Sequence, residues 1–363
     1  MIGIYVHIPF CAKKCPYCDF YSQSYSKDKM ISYCMAIVRN LEYYSKYNVQ
    51  ADTLYFGGGT PSLMEIDSIG DIIQTAKERF NMPHDSEITL EANPKTLNAK
   101  KLESLRKVGV NRLSVGVQSC IDSELKILGR NHTFKDCKRL VENANKCGFE
   151  NISCDLMIGT SSQTMDTLRY SCETLSKLDI KHISSYMLKI EDGTPYSQDA
   201  DILSNLPNDD MVSNMYLESV EIFKNYGFNQ YEVSNFAKNG FESRHNLKYW
   251  QCVDYLGIGS GSHSCFNGKR FCVPKDRDRF ILDEHQSIEV TEENPYTFEE
   301  VGMLSLRLSS GLNLSRFPKV KQSVLNKALP LKKLEYLTID DDIITLTPKG
   351  FLVSNSIIES LIL

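Results

Sequence analysis

The chain has 363 residues, of which 42% are hydrophobic and 24% charged, with a formal net charge of −5 and a pI near 5.9. This length and composition predict a globular protein with one large domain and a smaller appendage. The acidic balance argues against general nucleic-acid binding, because neutralising phosphates requires an excess of Lys and Arg.

The N-terminal stretch MIGIYVHIPFC does not resemble a secretory signal, because no basic region precedes its apolar run and His7 and Pro9 interrupt it. No window of the chain reaches the roughly 18 apolar residues that a membrane span requires. We therefore expect a cytoplasmic protein. In that reducing compartment the 12 cysteines are expected to stay reduced rather than to form a disulfide framework.

Six short β-branched or aromatic runs alternate with longer helical patterns over the first two-thirds of the chain. The predicted strands cover residues 2 to 8, 53 to 58, 87 to 92, 111 to 117, 151 to 158 and 181 to 188. The helices predicted after them cover residues 28 to 47, 65 to 80, 98 to 108, 134 to 147, 164 to 178 and 209 to 226. Six successive βα units predict an α/β fold whose parallel sheet forms a partial (β/α)6 TIM-like barrel.

The regular alternation ends near residue 236, and residues 237 to 296 carry aromatic and Gly-rich clusters without a clear period. A compact tail follows, in which the pattern predicts a helix over 298 to 308, a second near 322 to 335, a hairpin over 336 to 350 and a last helix to Leu363. Helices followed by a hairpin resemble a winged helix. The predicted division is therefore a core domain (1 to 236), a connecting segment (237 to 296) and a smaller α+β, winged-helix-like domain (297 to 363).

The residues that could carry chemistry follow or end the predicted core strands. In chain order they are Cys11, Cys15 and Cys18 after the first strand, Gly57, Gly58 and Gly59 in the second, Glu91 in the third, Gln118 after the fourth and Asp155 in the fifth. Because the carboxyl ends of parallel strands meet at one face of a barrel, we expect a single site there.

Three thiols within the eight residues CAKKCPYC point to a metal site. Structural zinc accepts cysteines two to four residues apart, and His7 could complete a Cys3His set. A 4Fe-4S cluster is the other interpretation, with one iron left free to bind a small molecule. The spacing alone favours zinc, whereas the barrel context favours the cluster. The other nine cysteines are predicted to be small core residues.

The pattern CxxxCxxC after the first strand, with a glycine triplet after the second, resembles the radical S-adenosylmethionine (radical SAM) superfamily. Longer stretches, among them YVHIPFCAKKCPYCDF, YFGGGTPS, NRLSVGVQS and YLGIGSGSHS, are similar to the oxygen-independent coproporphyrinogen III oxidase family, and within it to the haem chaperone branch HemW. The resemblance implies a 4Fe-4S cluster on Cys11, Cys15 and Cys18, whose open iron binds S-adenosylmethionine (SAM).

The resemblance also implies residues that bind SAM. Tyr5, Gly58 and Glu91 match positions that contact a first SAM, and Tyr17, Gly59, Thr60, Gln118, Arg130 and Asp155 match positions that hold a second molecule in the oxidase branch. The residue chemistry suits such roles, since glycines allow close approach of the backbone to a ligand. Buried carboxylates such as Glu91 require a cationic or hydroxyl-bearing partner, and Arg130 can form a bidentate pair with a carboxylate.

Two features favour the chaperone over the oxidase. The oxidase motif continues to a fourth cysteine, CxxxCxxCxC, where this chain has Phe20, and the chaperone branch carries a HNxxYW motif that begins here at His245. His245 and Trp250 are therefore candidates for binding haem, by an imidazole ligand and an aromatic surface. The alternative is a packed loop in which both are structural. His263, in GSGSHS, is a rival haem ligand.

Three functional hypotheses follow. The first is a haem chaperone that delivers haem to recipient haemoproteins such as respiratory enzymes, with flavodoxin or ferredoxin as electron donor if radical chemistry occurs. The second is a coproporphyrinogen III oxidase that uses a 5′-deoxyadenosyl radical, and the third is a zinc-stabilised binding module. One departure from the family concerns the loop after the fifth strand, which reads GTSSQT from Gly159 to Thr164 where GLPGQT is usual.

Overall fold

The first part of the chain alternates strands and helices, as shown by a computed structural model that describes residues 1 to 362. In chain order its elements are β1 (Ile2–Ile8), β2 (Phe10–Cys11), β3 (Gln23–Ser24), α1 (Lys27–Tyr44), β4 (Ala51–Gly58), α2 (Ile66–Arg79), β5 (Glu87–Ala92), α3 (Ala99–Val108), β6 (Arg112–Gln118), α4 (Asp122–Ile127), α5 (Phe134–Lys146), β7 (Asn151–Ile158), α6 (Met165–Ser176), β8 (His182–Met187), α7 (Ala200–Ser204) and α8 (Asp209–Asn225). All six predicted strands and their six helices are present near the expected bounds, which confirms the α/β prediction.

Six further strands follow, two of them very short. The elements are β9 (Asn229–Gln230), β10 (Asn235–Ala237), α9 (Arg244–Trp250), β11 (Tyr255–Ile258), β12 (His263–Phe266), β13 (Lys269–Cys272), α10 (Arg277–Leu282) and β14 (Glu289–Glu293). Residues 237 to 296, predicted as a segment without a period, thus contain four strands of four or five residues. Strands this short show too little alternation to be recognised from the sequence.

One twelve-stranded sheet contains all of these strands except β2 and β3. Its order is β14-β13-β12-β11-β1-β4-β5-β6-β7-β8-β10-β9. The six strands from β1 to β8 run parallel, and β11 extends the parallel part by pairing with β1. The outer strands are antiparallel. The Gly-rich segment is therefore an edge of the barrel sheet.

Strand β1 illustrates how the barrel is packed. Ile4 and Val6 are fully buried in the hydrophobic core, and Ile2 is nearly so. Because successive side chains of a strand point to opposite faces, the intervening Tyr5 and His7 face the other side, where the ring of Tyr5 lies 6.1 Å from that of Tyr55 in β4. Parallel strands are buried on both faces, and here the inner face carries the polar groups.

The C-terminal part forms a small α+β unit. Its elements are α11 (Phe298–Ser305), β15 (Leu312–Asn313), α12 (Lys321–Lys333), β16 (Leu337–Asp340), β17 (Ile343–Leu346), α13 (Pro348–Leu352) and α14 (Ser354–Ile362). The strands form a three-stranded sheet in the order β15-β17-β16, which includes the predicted hairpin. Leu363, with which the predicted last helix ends, lies outside the described residues. Across the described chain, no helix combines the length and apolar character needed to cross a bilayer.

Helix α9, which carries the HNxxYW motif, closes the amino-terminal end of the barrel beneath β1 and β4. A Cβ on Gly3 would lie 3.1 Å from the His245 ring, so a glycine in β1 makes room for the helix. The carboxylate of Glu87, at the start of β5, accepts hydrogen bonds from the backbone N–H groups of Arg244 and His245 at 3.1 and 3.0 Å. This carboxylate fixes the N-terminus of the helix to the barrel.

Replacing Glu87 with Ala should therefore destabilise the protein. Glu87 is only 5% exposed, and its loss leaves the buried His245 N–H without an acceptor, at a cost of about 1–3 kcal/mol. Chemical denaturation of the apoprotein measures this loss. Glu103→Ala, at an exposed position of α3, is the matched control and should change the free energy of unfolding by less than about 0.5 kcal/mol. Equal stability of the two variants would contradict the role assigned to Glu87.

Candidate metal centre and ligand site

The three cysteines of the motif lie on one loop at the carboxyl end of β1. Cys11 ends β2, which pairs with β3 through Phe10↔Gln23 and Cys11↔Ser24, so both ends of the loop are fixed. Between them the Cys18 N–H donates to the Cys15 carbonyl at 3.1 Å. All three thiols are free and partly exposed. We call residues 11 to 24 the thiol loop.

The glycine triplet seats this loop on the end of β4. The N–H groups of Gly59 and Thr60 donate to the carbonyls of Ile8 and Phe10 at 2.9 and 2.8 Å. A Cβ on Gly59 would lie 2.6 Å from the Phe10 carbonyl oxygen. Glycine is thus required at 59 by the backbone of the chain itself. The Thr60 hydroxyl then donates to the sulfur of Cys11 at 3.6 Å.

Arg130 connects the thiol loop to β6. Its Nη1 donates to the Cys15 sulfur at 3.6 Å and its Nη2 to the Gly116 carbonyl at 2.8 Å. Neither of these two acceptors is a carboxylate. Gln118, at the end of β6, has φ of 72°, and its Nε2 lies 3.0 Å from where a Cβ on Gly116 would be. The structure brings Gln118 and Arg130 together around one glycine.

The donor set fits an iron–sulfur cluster. Cys11 and Cys15 each accept a hydrogen bond at sulfur, from a hydroxyl and from a guanidinium. Such donors stabilise thiolates, and hydrogen bonds to sulfur are among the protein's means of tuning a cluster. Burial raises the pKa of Cys18, so this thiol must release its proton when a metal binds it as thiolate.

The geometry does not support a Cys3His zinc site that includes His7. Hydrogen bonds join its Nδ1 to the Tyr5 hydroxyl at 3.0 Å and its Nε2 to the Tyr21 carbonyl at 3.1 Å, so both ring nitrogens are engaged. Burial lowers the pKa of His7 to about 4. Within residues 1 to 362, no three His, Cys, Asp or Glu side chains are arranged to hold a single metal ion.

Glu91 lies at the end of β5 beside the glycine triplet. Its carboxylate accepts hydrogen bonds from the Tyr55 hydroxyl at 2.9 Å and from the Gly58 N–H at 3.0 Å. Tyr55 is thus the hydroxyl-bearing partner that a buried carboxylate requires. Burial raises the pKa of Glu91 to about 7, and the Asp155 charge adds to this rise. Near neutral pH Glu91 can accept or release a proton.

Asp155, on β7, accepts a hydrogen bond from the Ser114 hydroxyl at 3.3 Å. Burial raises its pKa to about 6, while the charge of Arg112 opposes the rise. Arg112, which the sequence pattern did not single out, is only 2% exposed and is the largest of the fully buried side chains among the described residues. The signal was an arginine at the start of an otherwise apolar strand, where a charge needs a partner.

Tyr5 and Tyr17 lie on different sides of the site. The Tyr5 ring approaches Gly57, where a Cβ would lie 2.9 Å from it, so Tyr5 reaches the Glu91 region. Tyr17, in the thiol loop, packs beside Tyr196 with ring centroids 6.1 Å apart. Burial raises the pKa of Tyr17, which keeps its hydroxyl protonated.

His245 is buried at the amino-terminal end of the barrel, with its ring 5.1 Å from that of Tyr55. It is 1% exposed, and hydrogen bonds join its Nδ1 to the Thr53 hydroxyl at 2.8 Å and its Nε2 to the Tyr249 hydroxyl at 2.7 Å. Burial lowers its pKa to about 3. In this conformation neither ring nitrogen can reach a haem iron. Trp250, the last residue of α9, is partly exposed.

An aromatic cavity of about 360 Å³ adjoins the thiol loop. We call it the aromatic pocket, and its lining includes Tyr5, Phe20, Tyr21, Tyr249, Tyr255, His263 and Lys275. Phe20, at the place of the fourth oxidase cysteine, is 69% exposed. His263 is exposed, and partial burial together with the charge of Lys275 lowers the pKa of this imidazole.

The unusual loop from Gly159 to Thr164 is closed by its own hydrogen bonds. The Gly159 N–H donates to the Gln163 side-chain oxygen at 2.7 Å, and the Gln163 Nε2 donates to the Met157 carbonyl at 3.2 Å. Thr164 caps α6. The loop is therefore ordered without the usual Leu, Pro and Gly.

Comparison with known proteins gives two family models that match separate parts of the chain. The Radical SAM superfamily model matches residues 5–175, and the HemN C-terminal domain model matches residues 297–353. Among solved structures, coproporphyrinogen III oxidase (HemN) from Escherichia coli, described as a radical SAM enzyme, superposes with a TM-score of 0.83. At 20% identity, over 99% of this chain and 90% of that chain, this likeness concerns the fold alone.

Bacterial relatives are similar over almost the whole chain. The Bacillus subtilis (strain 168) protein named Heme chaperone HemW is 34% identical over 98% of this chain and 98% of its own length. The Lactococcus lactis protein of the same name is 31% identical over 99% and 97%. The bovine protein named Radical S-adenosyl methionine domain-containing protein 1, mitochondrial, is 36% identical over 73% of this chain, which spans 60% of that longer relative.

The raised pKa of Glu91 predicts how stability depends on pH. The folded state holds a proton up to about pH 7, whereas the unfolded state loses it near pH 4.3, so this contribution to stability is lost as pH rises between these values. Relative to Glu91→Gln, the wild-type apoprotein should lose about 3 kcal/mol of unfolding free energy between pH 4.5 and pH 8. Chemical denaturation across this range measures the difference, and parallel pH profiles would contradict the assigned burial.

Proposed function

The chain belongs to the radical SAM superfamily and, within it, to the HemW family, and from this we propose that it is a haem chaperone that binds haem and passes it to recipient haemoproteins. The observation that carries the proposal is the full-length likeness to the two bacterial proteins named Heme chaperone HemW. Both the barrel and the C-terminal unit take part in that likeness. The proposed function therefore concerns the whole chain.

In this proposal Cys11, Cys15 and Cys18 hold a 4Fe-4S cluster, with Thr60 and Arg130 as hydrogen-bond donors to two of the sulfurs. When bound, such a cluster offers an iron without a protein ligand and a source of one electron. The role of the chain itself is to hold three thiols on the thiol loop, whose two ends are fixed. Their partial exposure allows the loop to be loaded from solution.

SAM is proposed to bind beside this loop, at the carboxyl ends of the strands. Tyr5, Gly58 and Glu91 are the proposed contacts of a first molecule, and ionised Glu91 would pair with a cationic group of the ligand. The further positions, Tyr17, Gly59, Thr60, Gln118, Arg130 and Asp155, remain proposed contacts of a second molecule. Of these, Thr60 and Arg130 already hold the thiol loop, which supports a structural task for both.

Phe20 argues against the oxidase. The oxidase motif has a fourth cysteine where Phe20 presents an exposed ring to the aromatic pocket. A thiol there can donate, ionise or be oxidised, whereas a phenyl ring supplies only apolar surface. An exposed aromatic surface suits binding of a flat macrocycle rather than proton or electron transfer.

We also propose a cytoplasmic location, supported by twelve free cysteines, which suit a reducing compartment. Respiratory enzymes are the proposed recipients of haem. A flavodoxin or ferredoxin is the proposed electron donor if the cluster is reduced for radical chemistry. Each of these partners is testable by direct binding with the purified full-length chain.

Anaerobic reconstitution with iron and sulfide should give a brown protein with about four iron and four acid-labile sulfide per chain. Replacing Cys11, Cys15 or Cys18 singly with Ala should reduce both to background. Cys147→Ala is the matched control, since Cys147 is also free and partly exposed but lies at the end of α5, and it should retain the full content. Equal iron loss in the control, or a zinc-loaded wild type without sulfide, would contradict the cluster.

Hemin titration of the wild-type protein should give saturable binding with a Soret band distinct from that of free hemin. In parallel, reduced protein incubated anaerobically with SAM and coproporphyrinogen III should form no protoporphyrinogen. Steady product would favour the oxidase. Absence of stoichiometric hemin binding would contradict the chaperone.

A further inference from the structure

The aromatic pocket lies between the thiol loop and strands β11 and β12. Tyr5 comes from β1, Tyr21 from the thiol loop, Tyr249 from α9 and Tyr255 from β11, so four separate elements contribute a tyrosine to it. Tyr249 and Tyr255 meet edge to face, with ring centroids 4.5 Å apart. Four converging rings form an apolar, flat-sided lining of the kind that suits a planar ligand.

His263 is the imidazole in this pocket that is available to a ligand. It is exposed at the start of β12, and no hydrogen bond to either ring nitrogen is formed within residues 1 to 362. His7, the pocket's other histidine, has both nitrogens engaged by Tyr5 and Tyr21. Iron is bound by a neutral imidazole nitrogen that is free of other partners.

The pocket also contains a cation. Lys275 lines it, and among the described residues its ammonium group forms no ion pair within 4.0 Å. In solvent-exposed surroundings, a Lys ammonium pairs readily with the carboxylate of an incoming ligand. Aromatic rings, a free imidazole and an unpaired ammonium together match a flat macrocycle that carries a metal and acidic side groups.

We propose that haem binds in the aromatic pocket with His263 as the axial ligand of its iron, while Lys275 pairs with a propionate and the exposed ring of Phe20 covers part of the macrocycle. This inference rests on the proposed chaperone function and names its binding site. Haem that is bound with one edge exposed can be transferred to a recipient protein without unfolding of the chaperone. His245 then acts as a positioning residue, because its Nε2 holds the Tyr249 hydroxyl at 2.7 Å.

Hemin titration of His263→Gly tests the site, with the Soret position and the electron paramagnetic resonance spectrum as readouts. We expect binding to weaken roughly 10- to 100-fold, and added imidazole should restore the wild-type spectrum by occupying the vacated space. His263→Cys should shift the Soret band to that of a thiolate complex. His84→Ala, at an exposed position away from the pocket, is the matched control and should bind as wild type does. Lys275→Gln should weaken binding without moving the Soret band.

His245→Ala separates ligation from positioning. We expect it to keep the wild-type Soret position with weaker affinity, since the iron ligand is intact but the Tyr249 ring is less constrained. The inference is overturned if His263→Gly keeps the wild-type spectrum, or if His245→Ala loses it and regains it with imidazole. Failure of the wild-type protein to bind hemin would instead overturn the proposed function, and with it this site. Circular dichroism confirms that each variant is folded.

Discussion

The close approach of the thiol loop to the end of β4 is the contact on which the rest of the site depends. It exists because Gly59 has no Cβ, so that two N–H groups of the β4 end reach the carbonyls of Ile8 and Phe10. Once the loop is seated, the Thr60 hydroxyl reaches the Cys11 sulfur. Arg130 secures the opposite side through Cys15. Three thiols that would otherwise move independently are thereby presented on one surface.

Behind this loop, the barrel interior holds ionisable side chains in surroundings of low polarity. Glu91 and Asp155 both have raised pKa values because burial disfavours their ionised forms, and Arg112 partly offsets this for each. In the proposed SAM site, a cationic ligand would favour the ionised forms of both carboxyl groups, so that ligand binding would release protons. Near neutral pH, burial of these carboxyl groups lowers the stability of the unliganded protein.

Much of this arrangement could be predicted from local sequence. The strands of the six βα units are continuous apolar runs bounded by polar turns, and parallel topology then places Cys11, Gly59 and Glu91 at one face. The rest depends on contacts that local pattern does not encode. Strands β11 to β14 are too short to show alternation. The burial of His245 depends on Gly3 and Thr53, which are distant in sequence, and motif similarity carries no information about which way a side chain faces.

The position of α9 gives the HNxxYW motif a physical role that does not require it to touch iron. Glu87 holds the N-terminus of the helix, His245 joins Thr53 of β4 to Tyr249 of the helix, and Tyr249 lines the aromatic pocket. The motif therefore connects the amino-terminal end of the barrel to the lining of the aromatic pocket. A substitution at His245 leaves the Thr53 and Tyr249 hydroxyls without their shared partner, and buried hydroxyls find other partners by moving. That movement would weaken ligand binding in the aromatic pocket although His245 does not contact the ligand. Because four separate elements build this pocket, it keeps its shape only while each element is held in place.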